Sequence, residues 1–121
     1  MITKPKSDPP GCTNDILSLQ DTLEILSGKW KLLIIHYLIT RKDQINTFKK
    51  IENDIVGISA KVLSKELKTL ETNQIVKRNI ISGKPISVSY SITSHGEDIE
   101  ILIQDLVKWG QNHRKVLFNT K

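Results

Sequence analysis

Along this chain the hydrophobic period changes twice in quick succession, which restricts the fold more than any composition does. Residues 57–71, GISAKVLSKELKTLE, place Leu63, Leu67 and Leu70 at spacings of four and three. Residues 75–92 then read IVKRNII and ISVSYSI around SGKP, with Ile86, Val88, Tyr90 and Ile92 alternating with Ser87, Ser89 and Ser91. From residue 94 the helical spacing returns at Ile99, Leu102, Ile103 and Leu106. Spacings of three and four read as helix, and apolar residues at every second position read as a strand with one buried face. The expectation is a mainly α chain with one small β-hairpin, whose tip carries Lys84 and Pro85.

Four helices are expected upstream of the hairpin. Residues 1–11 hold three of the four prolines and read as a flexible N-terminal arm. Ile16, Leu19, Leu23 and Leu26 define a first helix over residues 13–27, with Thr13, Asn14 or Asp15 as its N-cap and Gly28 as its stop. WKLLIIHYLIT is apolar nearly all round, as a buried central helix would be. Thr47 caps a short third helix, FKKIENDI, closed by Gly57, and Ser59 caps the fourth. After the hairpin, SHGE at residues 94–97 has the form of a capping box opening a long last helix. With 121 residues there is room for one core. We therefore expect one domain over residues 12–113 and a C-terminal tail over residues 114–121.

The charge is unevenly placed. The net charge is +5, and residues 59–90 supply +4 of it, through Lys61, Lys65, Lys68, Lys77, Arg78 and Lys84 against Glu66 and Glu71. Residues 94–110 carry −3. With Lys61 at zero on a helical wheel, Lys65 and Lys68 lie at about 40° and −20°, while the three leucines fall between about 180° and 240°. Leucines and lysines thus occupy opposite faces of one helix. Taken alone, such a lysine stripe is most often a solvated face. Its setting argues for more, because helix, short turn, helix and a basic-tipped hairpin is the layout of a winged helix-turn-helix. In that layout the second helix enters the major groove of double-stranded DNA and the wing touches the backbone. The recognition residues are then Ser59, Ala60, Lys61, Ser64, Lys65 and Lys68. Lysines attract phosphate, and Ser59, Ser64, Lys61 and Lys65 are short or flexible enough to reach base edges.

The sequence also resembles the HxlR-type transcriptional regulators, relatives of the MarR group. The resemblance rests on GKWKLLII at 28–35, GIS at 57–59, Lys61, LS at 63–64, Leu67 and Leu70, IVKR at 75–78, Pro85, VSYSIT at 88–93, Gly96, and WG at 109–110. It covers residues 12–110 and implies a dimeric, DNA-binding winged-helix protein that controls a nearby gene. Four positions depart from the family's pattern. An Arg-Phe pair followed by Glu-Leu usually opens the third helix, where this chain has Thr47, Phe48, Lys50 and Ile51, and a usual glutamate of the second strand is Ser89. A phosphate contact from the missing arginine would then fall to Lys49 or Lys50. Thr47, Lys77 and Arg78 are further flanking candidates for DNA contact, with Lys84 and Pro85 at the wing.

Cys12, the single cysteine, precedes the first helix, where exposed N–H groups stabilise a thiolate. A lone cysteine is more often an inert small hydrophobe. The resemblance implies a sensor of oxidants or electrophiles, since many family members carry a cysteine at this point. Any reversible disulfide would have to join two subunits or a small thiol. The wide apolar face of the last helix, with Val116, Leu117 and Phe118 beyond it, predicts a homodimer formed by the first and last helices. Its interface would use Ile16, Leu19, Leu102, Ile103, Leu106 and Trp109. Trp30 and Trp109 read as apolar anchors of the core. His36, His95 and His113 lack metal-ligand spacing, and no catalytic constellation stands out, so neither metal, cofactor nor enzymatic activity is expected. No apolar run suits a signal peptide or a membrane span, which places the protein in the cytoplasm. The function expected is sequence-specific transcriptional regulation, as a repressor, with redox sensing at Cys12. The alternative is a winged-helix protein–protein module without DNA binding.

Overall fold

The computed structural model describes residues 12–118, so the arm expected over residues 1–11 lies outside the described residues, as do residues 119–121. Six helices and one hairpin follow in the order α1 (Cys12–Leu26), α2 (Lys31–Thr40), α3 (Phe48–Asp54), α4 (Ala60–Thr72), β1 (Val76–Ile81), β2 (Ser87–Ile92), α5 (Ser94–Glu97) and α6 (Glu100–Phe118). No helix among the described residues is long and apolar enough to cross a membrane. The architecture is the expected helix-turn-helix with a two-stranded antiparallel wing.

Seven side chains form the sealed centre: Ile34, Ile35 and Leu38 of α2, Ile51 of α3, and Leu63, Leu67 and Leu70 of α4. The leucine stripe of α4 is therefore what holds that helix down. Two caps expected from sequence are made. Thr47 Oγ1 accepts from Lys50 N at 3.1 Å and Ser59 Oγ from Val62 N at 3.1 Å. Between them the α3–α4 turn passes through Gly57 at φ +91°, a conformation that costs a side-chain-bearing residue strain. A Cβ built at Gly57 would lie 3.7 Å from the indole of Trp30, so that ring props the turn. An ion pair completes the seating of α4: Lys31 Nζ at the start of α2 meets Glu66 Oε1 at 2.6 Å, with both side chains largely buried.

Several sequence expectations are corrected. Because α1 begins at Cys12, Thr13, Asn14 and Asp15 lie within its first turn rather than at its cap. Past the hairpin, the cap is Thr93, whose hydroxyl accepts from Gly96 N at 2.9 Å, so Ser94 and Glu97 do not form the expected box. The helix opened there stops after one turn, and α6 starts afresh at Glu100. It then runs on through Phe118, which puts the boundary expected at residue 113 inside a helix. The alternating stripe of β2 is only partly buried. Ile92 and Tyr90 pack on the core, but Ile86 is 68% exposed, because the wing leaves the core as it extends. The most buried residue of β2 is Ser89, 7% exposed, since it bridges Thr47 on the side away from β1. Trp109 is not a core anchor: it is 65% exposed and stacks on His113 with ring centroids 4.8 Å apart.

Candidate nucleic-acid interface

Ser59, Ala60, Lys61, Ser64, Lys65 and Lys68 all stand exposed on α4, as the wheel requires. No carboxylate among the described residues pairs with Lys61, Lys65 or Lys68, so their charge is presented outward. The one glutamate in their midst, Glu66, is turned inward onto Lys31. Ser59 uses its oxygen as the helix cap and keeps its O–H free to donate.

The hairpin adds a second wall. A cleft of about 510 Å³ lies between the wing and the start of α3, with Ser64 of α4 at its side, and is lined by Thr47, Lys49, Ser64, Arg78, Pro85 and Tyr90, among others. Beside it a smaller recess joins Ser64, Lys68 and Glu71 to Arg78 and Tyr90. Arg78 sits opposite Tyr90 in the strand register and Lys77 opposite Ser91, so the two cations project to opposite faces of the wing. The structure places Arg78 beside Ser64 and Lys68 of α4 and leaves Lys77 on the other face of the wing. Lys84 and Pro85 are exposed at the tip. Sequence reading ranks Arg78 with Lys77, yet the pairing with Tyr90 on an alternating strand was the available signal that they part.

Of the three residues near the start of α3, only Lys49 is exposed. Thr47 spends its hydroxyl oxygen on the cap and its backbone carbonyl on Ile51 N at 3.0 Å, and it stands opposite Ser89 in an isolated antiparallel bridge. Two positions that depart from the family pattern, Thr47 and Ser89, thus face each other. Lys50 is corrected as a phosphate contact. Its Nζ donates to Tyr37 Oη at 2.7 Å and to Asn46 Oδ1 at 3.0 Å, and lies 3.6 Å from Asp54 Oδ2. Tyr37 donates to Asp54 Oδ2 at 2.6 Å. Burial, followed by that hydrogen bond, raises the Tyr37 phenol above its ordinary value, and the hydrogen bond from Tyr37 chiefly holds the Asp54 carboxyl below its own. This network joins residues up to 17 positions apart and leaves no mark in a sequence pattern.

On the far elements, Ile16 is half-buried while Leu19, Leu102, Leu106 and Trp109 are exposed, as a face awaiting a partner would be. Ile103 is corrected: at 6% exposure it belongs to the chain's own core. Ile101, Leu117 and Phe118 are exposed apolar residues of α6 as well. Cys12 opens α1, and its side chain lies outside the described structure.

The profile of the HxlR-like helix-turn-helix family matches residues 25–117. The HTH-type transcriptional regulator YybR of Bacillus subtilis (strain 168) is 32% identical over 96 residues, 79% of this chain and 74% of that protein. Among solved structures, the redox regulator HypR in its reduced form superposes with a TM-score of 0.73 at 29% identity, over 83% of this chain and 96% of that one. The reduced form of the transcriptional regulator YodB from B. subtilis does so with a TM-score of 0.66 at 34% identity, over 76% and 87%. Quinone-bound YodB superposes with a TM-score of 0.65 at 30% identity, over 79% and 98%.

Proposed function

The chain belongs to the HxlR-like helix-turn-helix family of transcriptional regulators, and on that premise we propose that it binds double-stranded DNA sequence-specifically, as a homodimer, and represses transcription. The observation that carries this reading is the outward lysine face of α4, unpaired with any described carboxylate and flanked by the Arg78 wall of the wing. Lys61, Lys65, Lys68, Lys49, Arg78 and Lys84 supply phosphate attraction, and Ser59, Ala60 and Ser64 lie close to base edges in the major groove. The exposed apolar residues of α1 and α6 support a two-fold partner. Two recognition helices would then fall about one turn of B-DNA, ~34 Å, apart, and the operator would be pseudo-palindromic.

Cys12 is the proposed sensor. Its place at the head of α1, where backbone N–H groups favour a thiolate, supports oxidation or electrophile addition there. The likeness to a redox regulator and to a quinone-bound regulator adds to that support.

Fluorescence anisotropy on DNA upstream of the protein's own and adjacent genes, across a salt series, tests both parts. Tight binding that falls steeply with salt is expected of reduced protein, with a change on mild oxidation. Cys12→Ser should bind like reduced wild type and lose the oxidant response. An unaltered response in that variant would remove Cys12 from the switch. Absence of specific binding in either redox state would overturn the DNA reading in favour of a protein-interaction module.

A further inference from the structure

One lysine of the helix-turn-helix is held quite differently from those of α4. Lys50 Nζ is tied to Tyr37 Oη and Asn46 Oδ1, at 2.7 and 3.0 Å, with Asp54 Oδ2 at 3.6 Å. An ammonium group has three N–H donors, and two of them are spent on these neighbours while the side chain keeps 33% of its surface exposed. What they hold matters more than where they end. Asn46 is 2% exposed, and its side-chain amide donates to the Arg41 carbonyl at 3.0 Å. Its backbone carbonyl accepts the N–H of Tyr90 at 2.8 Å. The next residue, Thr47, bridges Ser89 and caps α3 by accepting the backbone N–H of Lys50 itself. The segment 46–47 is therefore the seat on which β2 rests, and the Lys50 side chain is the strut under that seat. Tyr90 then faces Arg78 across the wing, in the recess shared with Ser64 and Lys68 of α4.

We propose that Lys50, together with Tyr37 and Asn46, is a positioning residue for the wing: it fixes the segment on which β2 docks, and so sets the gap between the wing and the recognition helix without touching DNA. The proposal rests on the DNA-binding reading for its consequence, while the tie to Tyr90 stands apart from it. A role in positioning and a direct phosphate contact differ in their salt dependence. Each phosphate neutralised contributes about 0.9 to the slope of log Kobs against log salt, whereas a displaced wing weakens binding without removing a neutralised charge.

The test uses the intact chain with Tyr37→Phe, Lys50→Met and, as a comparison, Lys49→Ala. Anisotropy across salt is measured on the upstream duplex, and hydrogen exchange of the Tyr90 amide is followed by NMR. Tyr37→Phe and Lys50→Met should each weaken binding about tenfold at fixed salt, keep the wild-type slope, and speed Tyr90 exchange about tenfold or more. Lys49→Ala should lose about one phosphate's worth of slope and leave Tyr90 exchange unchanged. A Lys50→Met protein that loses the slope of one contact while Tyr90 stays protected would overturn the proposal, as would wild-type affinity and exchange in Tyr37→Phe. Tyr37→Phe deletes a single oxygen and retains every charge, so it decides the matter if Lys50→Met does not melt cooperatively. If wild-type protein binds no site specifically, the DNA reading fails, and Tyr90 exchange alone decides the tie.

Discussion

Gly96 tests whether the base of the wing is packed as tightly as described. A Cβ at this position would overlap the carbonyl oxygen of Ile75 and lie 2.6 Å from Cδ1 and 3.0 Å from Cγ1 of Ile92. The isoleucine methyl can swing away, but the carbonyl cannot. It already accepts from Thr93 N at 3.0 Å and shares the single Thr93 hydroxyl proton, 3.0 Å away, with the Gln74 carbonyl at 2.7 Å, and those bonds join α5 to the exit from α4. Gly96→Ala must therefore move backbone or break that pair of bonds, at the upper end of the overpacking range, about 3 kcal/mol. Unfolding entropy is about 2.1 cal/mol/K per residue, so a chain of this length has roughly 0.25 kcal/mol/K in all and the variant should melt about 12 °C lower. Gly57→Ala is the control, because its Cβ meets only the Trp30 ring at 3.7 Å and bears just the strain of φ +91°. About 1 kcal/mol, or roughly 4 °C, is expected there. Thermal denaturation followed by circular dichroism, at one protein concentration for all three proteins, gives both shifts. A Gly96→Ala protein that melts no lower than Gly57→Ala would refute the packing described.

Other consequences can be measured as directly. Lys61→Ala should weaken binding to specific and unrelated duplexes alike and lower the salt slope by about one, since Lys61 is exposed and unpaired among the described residues. Lys31→Met should cost about 1–2 kcal/mol in urea unfolding, between the values of exposed and fully buried ion pairs. Adding Glu66→Gln to it should then cost little more, and full additivity would argue against the pair. The carboxyl of Asp54 is held below its ordinary value near 3.8 and the phenol of Tyr37 above its ordinary 10.0. The Asp54 contribution is thus present above the unfolded carboxylate value and lost as pH falls through the lower folded one. That of Tyr37 is present below the unfolded phenol value and lost as pH rises through the raised folded one. Asp54→Asn should flatten the acid limb of a stability–pH profile, and an unchanged acid limb would refute the assignment.

The legible parts of this protein were those in which a local pattern met a single environment. Leu63, Leu67 and Leu70 face only core and Lys61, Lys65 and Lys68 only solvent, so the periodicity of α4 alone places them. Where one stripe crosses several environments, the pattern misleads. The apolar stripe of residues 86–92 runs from the core at Ile92 to solvent at Ile86, just ahead of β2, and the alternate serine at position 89 is buried where it stands opposite residue 47. Adjacent candidates also divide by small rotations. Ile103 turns inward while Leu102 and Leu106 stay out, and Lys50 turns into the protein while Lys49 does not. Those rotations are set by the packing of α6 on the core and by a network anchored in α2, which no window around the residues themselves contains.

The seating of β2 on residues 46–47 also bears on the order in which the parts assemble. Strands β1 and β2 pair across a five-residue tip, whereas the bond from Tyr90 to Asn46 joins residues 44 positions apart. Closing the longer loop costs more chain entropy and is repaid only once α2 and α3 have made a surface to receive it. The placement of the wing therefore depends on α2 and α3 being packed, whereas the pairing of β1 with β2 does not, so the geometry that would meet DNA is only as firm as that long-range contact.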